Sequence, residues 1–245
     1  MVGSSDSDVA FRRGCQLYDQ EKWTDSETFF RSAITDMSNG EAFFRLSNVL
    51  DRLAPSTNEE ARALLSHAAS LGHQKALINY SRILCFTDRN FTEAKKLIWR
   101  AVQIREVENE LTYRVALFNG ALIFEEAGQY HTAVIFLDRC AKGLGDPDIP
   151  EDVQYFIYWA QLMKGIWQSS RKSFDTVQET FQSLLELRDS SAACVLASLC
   201  LDNEEYEKAL HWARLAQVGT QQYYPGLSAE KVDSIIREAK TKLGN

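Results

Sequence analysis

"GQYHTAVIFLDRCA" spans Gly128 to Ala141. A glycine stands two residues before Tyr130, and Ala133 follows three residues after it. Leu137 and Cys140 continue the apolar pattern at helical spacing. The stretch reads as the end of one helix and the start of another. Gly128 suits the left-handed residue that closes a helix, where a side chain is costly. Tyr130 opens the second helix, and Ala133 is small where a neighbouring helix lies close.

The same skeleton recurs. Trp23, Phe91, Phe174 and Tyr206 each start a segment with Tyr130's pattern, and a weaker copy starts at Asn58. The small or apolar residue three positions on is Ser26, Ala94, Val177 and Ala209, and Ala61 in the weaker copy. Successive anchors are separated by 35, 33, 39, 44 and 32 residues. The unit at Phe174 lacks both the helix-ending glycine and the small alanine. Segments before the anchors, such as "VAFRRGCQLYDQ", "ALINYSRILCF" and "VALFNGALIFEEAG", supply a first helix for each pair. A helix pair cannot bury its apolar stripe alone, and stacked pairs make one continuous core.

Composition agrees with helices. Four prolines and twelve glycines in 245 residues are too few for the many turns of a sandwich or barrel. The net charge of −7 argues against nucleic acid, whose phosphates need a basic surface, and is compatible with a basic partner. No run approaches the roughly 20 apolar residues that span a bilayer. The polar start "MVGSSDSDVA" has no signal-peptide core, so a cytoplasmic location is expected. Five cysteines without a CxxC pair read as thiols in a reducing compartment. "NFT" at Asn90 formally matches a glycosylation acceptor, which means little without a secretory signal.

The spacing clusters about the 34-residue period of tetratricopeptide repeats, and the chain resembles that family. Glu59 to Leu84 looks more like the related Sel1-like repeat, through Ala61, Ala68, Ala69, Gly72 and Ala76. Two departures are Leu117 and Ala121, where the family has an aromatic residue and a glycine. The fold expected is all-α, a right-handed α-solenoid of about six antiparallel helix pairs plus a C-terminal capping helix. The divisions are a flexible start at 1–5, the repeat array at 6–225 and the cap at 226–245. Two long intervals place extra residues at 105–110 and 143–152, as plain insertions or as functional loops. In the cap, Val232, Ile235, Ile236, Ala239 and Leu243 share an apolar face. That face closes the array or binds a partner helix.

No catalytic constellation is present. His67, His73, His131 and His211 show no metal-ligand spacing, and no phosphate-binding loop or nucleophile elbow occurs. No enzyme activity, cofactor or metal is therefore expected. The resemblance implies a protein or peptide partner, held on the concave side by the first helix of each pair. Carried over to this chain, the lining residues are Phe11, Arg12 and Cys15; Phe43, Leu46 and Leu50; Asn79, Tyr80 and Ile83; Phe118, Asn119 and Leu122; and Trp159, Leu162, Met163 and Ile166. The same residues also suit an interhelical core. Some relatives grip a chaperone's C-terminal carboxylate with lysines, asparagines and an arginine. Phe11 and Cys15 stand at matching places in the first unit, and the basic members are missing, so a chaperone tail is not the expected ligand. Docking into a larger assembly through the convex or edge surfaces is the alternative, and a regulatory or helical enzyme domain is a more remote one.

Overall fold

The computed structural model describes residues 6–34, 38–54, 59–104, 110–144, 146–169, 172–186, 188–219 and 228–244. Among the described residues thirteen α-helices follow one another, in six successive pairs and a terminal helix. The pairs are α1 (Asp6–Asp19) with α2 (Trp23–Ala33), α3 (Gly40–Leu53) with α4 (Glu59–Ser70), and α5 (Gln74–Arg82) with α6 (Phe91–Gln103). Then come α7 (Glu110–Glu126) and α8 (Tyr130–Cys140), α9 (Glu151–Ser169) and α10 (Phe174–Glu186), and α11 (Ser190–Asp202) and α12 (Tyr206–Val218). The last is α13 (Ala229–Lys242). This is the all-α, helix-pair architecture expected from the repeat. Trp23, Phe91, Tyr130, Phe174 and Tyr206 are each the first residue of a helix. Asn58 and the insertion at 105–109 lie outside the described residues.

The chain divides into two compact units, Met1–Ala133 and Val134–Asn245. In the first, each helix packs on the next from α1 to α7, and α5 also touches α7. In the second, α9 packs on α10 and α11, and α11 on α12 and α13.

One turn recurs. Glu21, Gly72, Arg89, Gly128, Arg188 and Glu204 all have positive φ and all stand two residues before a helix starts. Gly128 shows the pattern: its N–H donates to Glu125 O at 2.8 Å, and the next N–H, from Gln129, donates to Phe124 O at 2.7 Å. These bonds satisfy carbonyls that the helix end would orphan. Glu204 and Arg188 repeat the pattern with glutamate and arginine in glycine's place. Helix starts are capped by side chains three residues upstream of the donor: Asn39 to Ala42, His73 to Ala76, Asn90 to Glu93, Asp189 to Ala192 and Ser228 to Lys231. Asn90, the formal glycosylation acceptor, thus has a structural task.

In the unit at Phe174, Gly165 of the preceding helix receives the ring of Phe181. On α13, Val232, Ile235 and Ala239 are buried and pack with Ala193, Ala197, Cys200 and Ala213 of α11 and α12. Lys231, Asp233, Ser234, Arg237 and Lys240 are exposed. Gln154 of α9 donates its amide to Asp146 O at 2.7 Å in the connection that precedes the helix.

Candidate functional site

The clefts of the first unit lie on α3, α5 and α7, and the larger also on α4. α5 is extended by a π-helical turn at Ile83–Thr87. Such turns accommodate a widened backbone and are frequent at functional sites. Here the turn leaves Phe86 44% exposed. Two clefts meet on α5, and Asn79 lines both. One, of about 290 Å³, lies between Phe44 of α3, Lys75 and Ile78 of α5, and Leu111, Thr112 and Val115 of α7. The other, of about 400 Å³, is walled by Asn48 and Asp51 of α3, Arg62 of α4, and Arg82, Ile83 and Phe86. Both volumes approach or fall within the range of small-ligand and side-chain pockets.

Fixed charges surround these clefts. Arg62 pairs with Asp88 and lies against Tyr80, so its guanidinium is held firmly protonated. At the start of α3, Glu41 accepts from His73 Nε2 at 2.5 Å and from Arg45 Nε at 2.6 Å. His73 Nδ1 accepts the Ala76 N–H, which leaves the proton on Nε2 to donate. The His73 hydrogen bond, and then Arg45, hold the Glu41 carboxyl down at about 2 against the opposing effect of burial.

The residues carried over from the family pattern separate into two groups. Asn79, Tyr80, Ile83, Phe118, Leu122, Trp159 and Ile166 are half-buried, and Arg12 is exposed. Phe43, Leu46, Leu50, Leu162 and Met163 are buried, so they hold helices together. Phe43 packs against His67, with ring centroids 4.4 Å apart. Asn119 is also buried, and its amide donates to Val115 O of its own helix at 2.8 Å. Phe11 and Cys15 pack into the cluster around Phe30. Phe44, Lys75 and Leu111 were missed by the pattern and line the smaller cleft.

In the second unit the open face of α9 centres on Tyr155, 57% exposed, one helical turn before Trp159. Elsewhere polar groups serve the fold. Tyr158 donates to Asp189 Oδ2 at 2.7 Å, and Asp189 caps α11. Burial pushes the Cys194 and Cys200 thiols up to about 11, so they are inert. Among the described residues no cluster of histidine, cysteine and carboxylates is arranged to hold a metal ion. No helix among them is long and apolar enough to cross a membrane.

Successive helix pairs, five of them with a large residue at the start of the second helix, give a tetratricopeptide-like fold. No family model and no curated protein sequence matches the chain. Solved structures do. PilW, described as a widely conserved type IV pilus biogenesis factor, superposes with a TM-score of 0.56 at 14% identity, covering 96% of this chain and 100% of that one. PilF of Pseudomonas aeruginosa superposes with a TM-score of 0.59 at 13% identity, covering 95% and 97%. At these identities the likeness is one of fold.

Proposed function

We propose that the protein is a non-catalytic, cytoplasmic interaction scaffold that holds a peptide or protein segment against its first helices. The observation that carries this reading is the pair of clefts sharing Asn79 on α5. Three successive first helices contribute to the smaller cleft, as a surface built for an extended or helical segment requires. Tyr80, Phe118 and Leu122 extend the surface with apolar area. Asn79 offers an amide that both donates to and accepts from a peptide backbone. The site is preformed, so binding reorganises the receptor little.

Partner capture by the wild type is compared with capture by Asn79→Ala/Tyr80→Ala and by Phe118→Ala. Each variant is expected to lose a partner while its circular dichroism and melting curve stay wild-type. Identical partner lists across the three proteins would sink the site assignment.

A second reading, docking into a larger assembly by an edge, is favoured by α12. Val218 is 75% and Leu215 41% exposed there, beside a cleft of about 510 Å³ that reaches Leu243. Val218→Glu separates the two: an assembly subunit fails to incorporate, and a groove receptor keeps its ligand.

A further inference from the structure

The second unit carries an exposed aromatic residue. Tyr155 lies on α9 and is 57% exposed. Its ring meets Phe156 edge-on at 5.4 Å, with an interplanar angle of 87°. It meets Trp159 at 5.9 Å and 65°. Two neighbours therefore fix the orientation of an aromatic ring that is more than half in water. In each contact the edge of one ring meets the face of the other, and more than half of the Tyr155 side chain stays open to water.

Carboxylates lie beside it. Glu151 is one helical turn before Tyr155, Asp152 is three residues before it, and Asp148 precedes both; all three are exposed. Among the described residues none of the three forms an ion pair. Acidic residues at a helix start favour the helix dipole, so the carboxylates alone identify nothing. The exposed, oriented ring next to them is the separate observation. The nearby lysine of α9, Lys164, is engaged by Asp138 at 2.6 Å.

We infer that the Glu151–Tyr155–Trp159 stripe of α9 receives an arginine-bearing segment of a partner protein, the guanidinium stacking on Tyr155 and pairing with Glu151 or Asp152. A guanidinium is planar and weakly hydrated, so it stacks on an aromatic face better than an ammonium does. The carboxylates supply the charge complement, and the chain's net charge of −7 favours the approach of a basic segment. The inference rests on the reading that first helices receive partners, and it does not rest on the Asn79 clefts.

The test uses fluorescence anisotropy of a labelled peptide alternating arginine with glycine. Peptides of equal length alternating lysine or glutamate with glycine are the comparison. The full chain is expected to bind the arginine peptide more tightly than the lysine peptide, and the glutamate peptide not at all. Tyr155→Ala should weaken binding about threefold, within the usual effect of an exposed cation–π contact, and Tyr155→Phe should retain it. Glu151→Gln/Asp152→Asn should weaken binding and flatten its salt dependence. Equal binding of arginine and lysine peptides, or no change with Tyr155→Ala, would overturn the inference in favour of general charge attraction. So would preference for the glutamate peptide or absence of binding. Because Asn79→Ala/Tyr80→Ala leaves α9 intact, partner loss by that variant with no arginine-peptide binding removes this inference and leaves the scaffold reading standing.

Discussion

Gly165 and Phe181 occupy one space: a β-carbon at Gly165 would stand 2.0 Å from Phe181 Cε1. Gly14 and Phe30 repeat the relationship in the first helix pair at 2.8 Å, and each pair is separated by 16 residues. Both rings are fully buried and follow their helix anchor by seven residues. The two helix pairs therefore share both the glycine and the ring that it admits.

Gly165→Ala should destabilise the protein by about 2–3 kcal/mol, since overpacking outweighs the gain in helix propensity of about 1 kcal/mol. Gly14→Ala should cost less, because its closest atoms are nearly 1 Å further away. Phe181→Leu in the Gly165→Ala background should recover part of the loss. Urea midpoints of the four proteins measure this, and additive effects of the two changes would exclude the coupling.

The recurring turn predicts changes of opposite sign. Glu204 has φ of 61°, and its side chain is exposed. Glu204→Gly should stabilise by about 0.5–1 kcal/mol by relieving the left-handed strain. Gly128→Ala, at φ of 72°, should destabilise by about 1 kcal/mol. Thermal denaturation of both variants decides, and a shift of the same sign in each would refute the shared turn.

How much of this was legible in the sequence follows from where the signal sits. Large residues at second-helix starts are visible, because bulk at a turn is a residue-type requirement. Glu21, Arg89, Arg188 and Glu204 are not, since nothing in a glutamate or arginine announces positive φ. Gly165 is legible, nine residues before Phe174 as Gly14 is nine before Trp23. For the site, the family's positions identify the right helices and only part of the surface. Phe43 and Phe44 are neighbours and both buried, yet only Phe44 reaches the smaller cleft, a difference that residue type does not reveal. Asn119 looked like a ligand-binding amide, but it satisfies its own helix. Tyr155 has a signal: α9 is 19 residues long, and counting from Pro150 puts an aromatic on its first open turn.

Tyr158 and Asp189 predict a pH-dependent cost. Burial pushes the Asp189 carboxyl up, and hydrogen bonds from Tyr158 and the Ala192 N–H partly offset this. A carboxyl raised on folding weakens stability at neutral pH and does so less as pH falls. Tyr158→Phe removes one donor to the ionised form and should cost about 1–2 kcal/mol at pH 7. The cost should shrink as acid protonates Asp189, and a pH-independent cost would assign it to lost packing.

Glu41 predicts the reverse slope. Its folded value of about 2 lies below its unfolded value of about 4.5. The stability it contributes is fully present above the unfolded value and is lost as pH falls towards 2. The side chain is 34% exposed, so solvent screening cuts the contribution to about 1 kcal/mol. Glu41→Gln should be less stable than wild type by that amount at pH 7. The two melting temperatures should converge as the pH approaches 2. His73 caps α5 through its other nitrogen, so His73→Asn retains a cap and loses the Nε2–H donor to Glu41. Arg45 still bonds Glu41 in that variant, so its loss at pH 7 should be smaller than that of Glu41→Gln, and an equal or larger loss would mean that His73 contributes beyond its bond to Glu41.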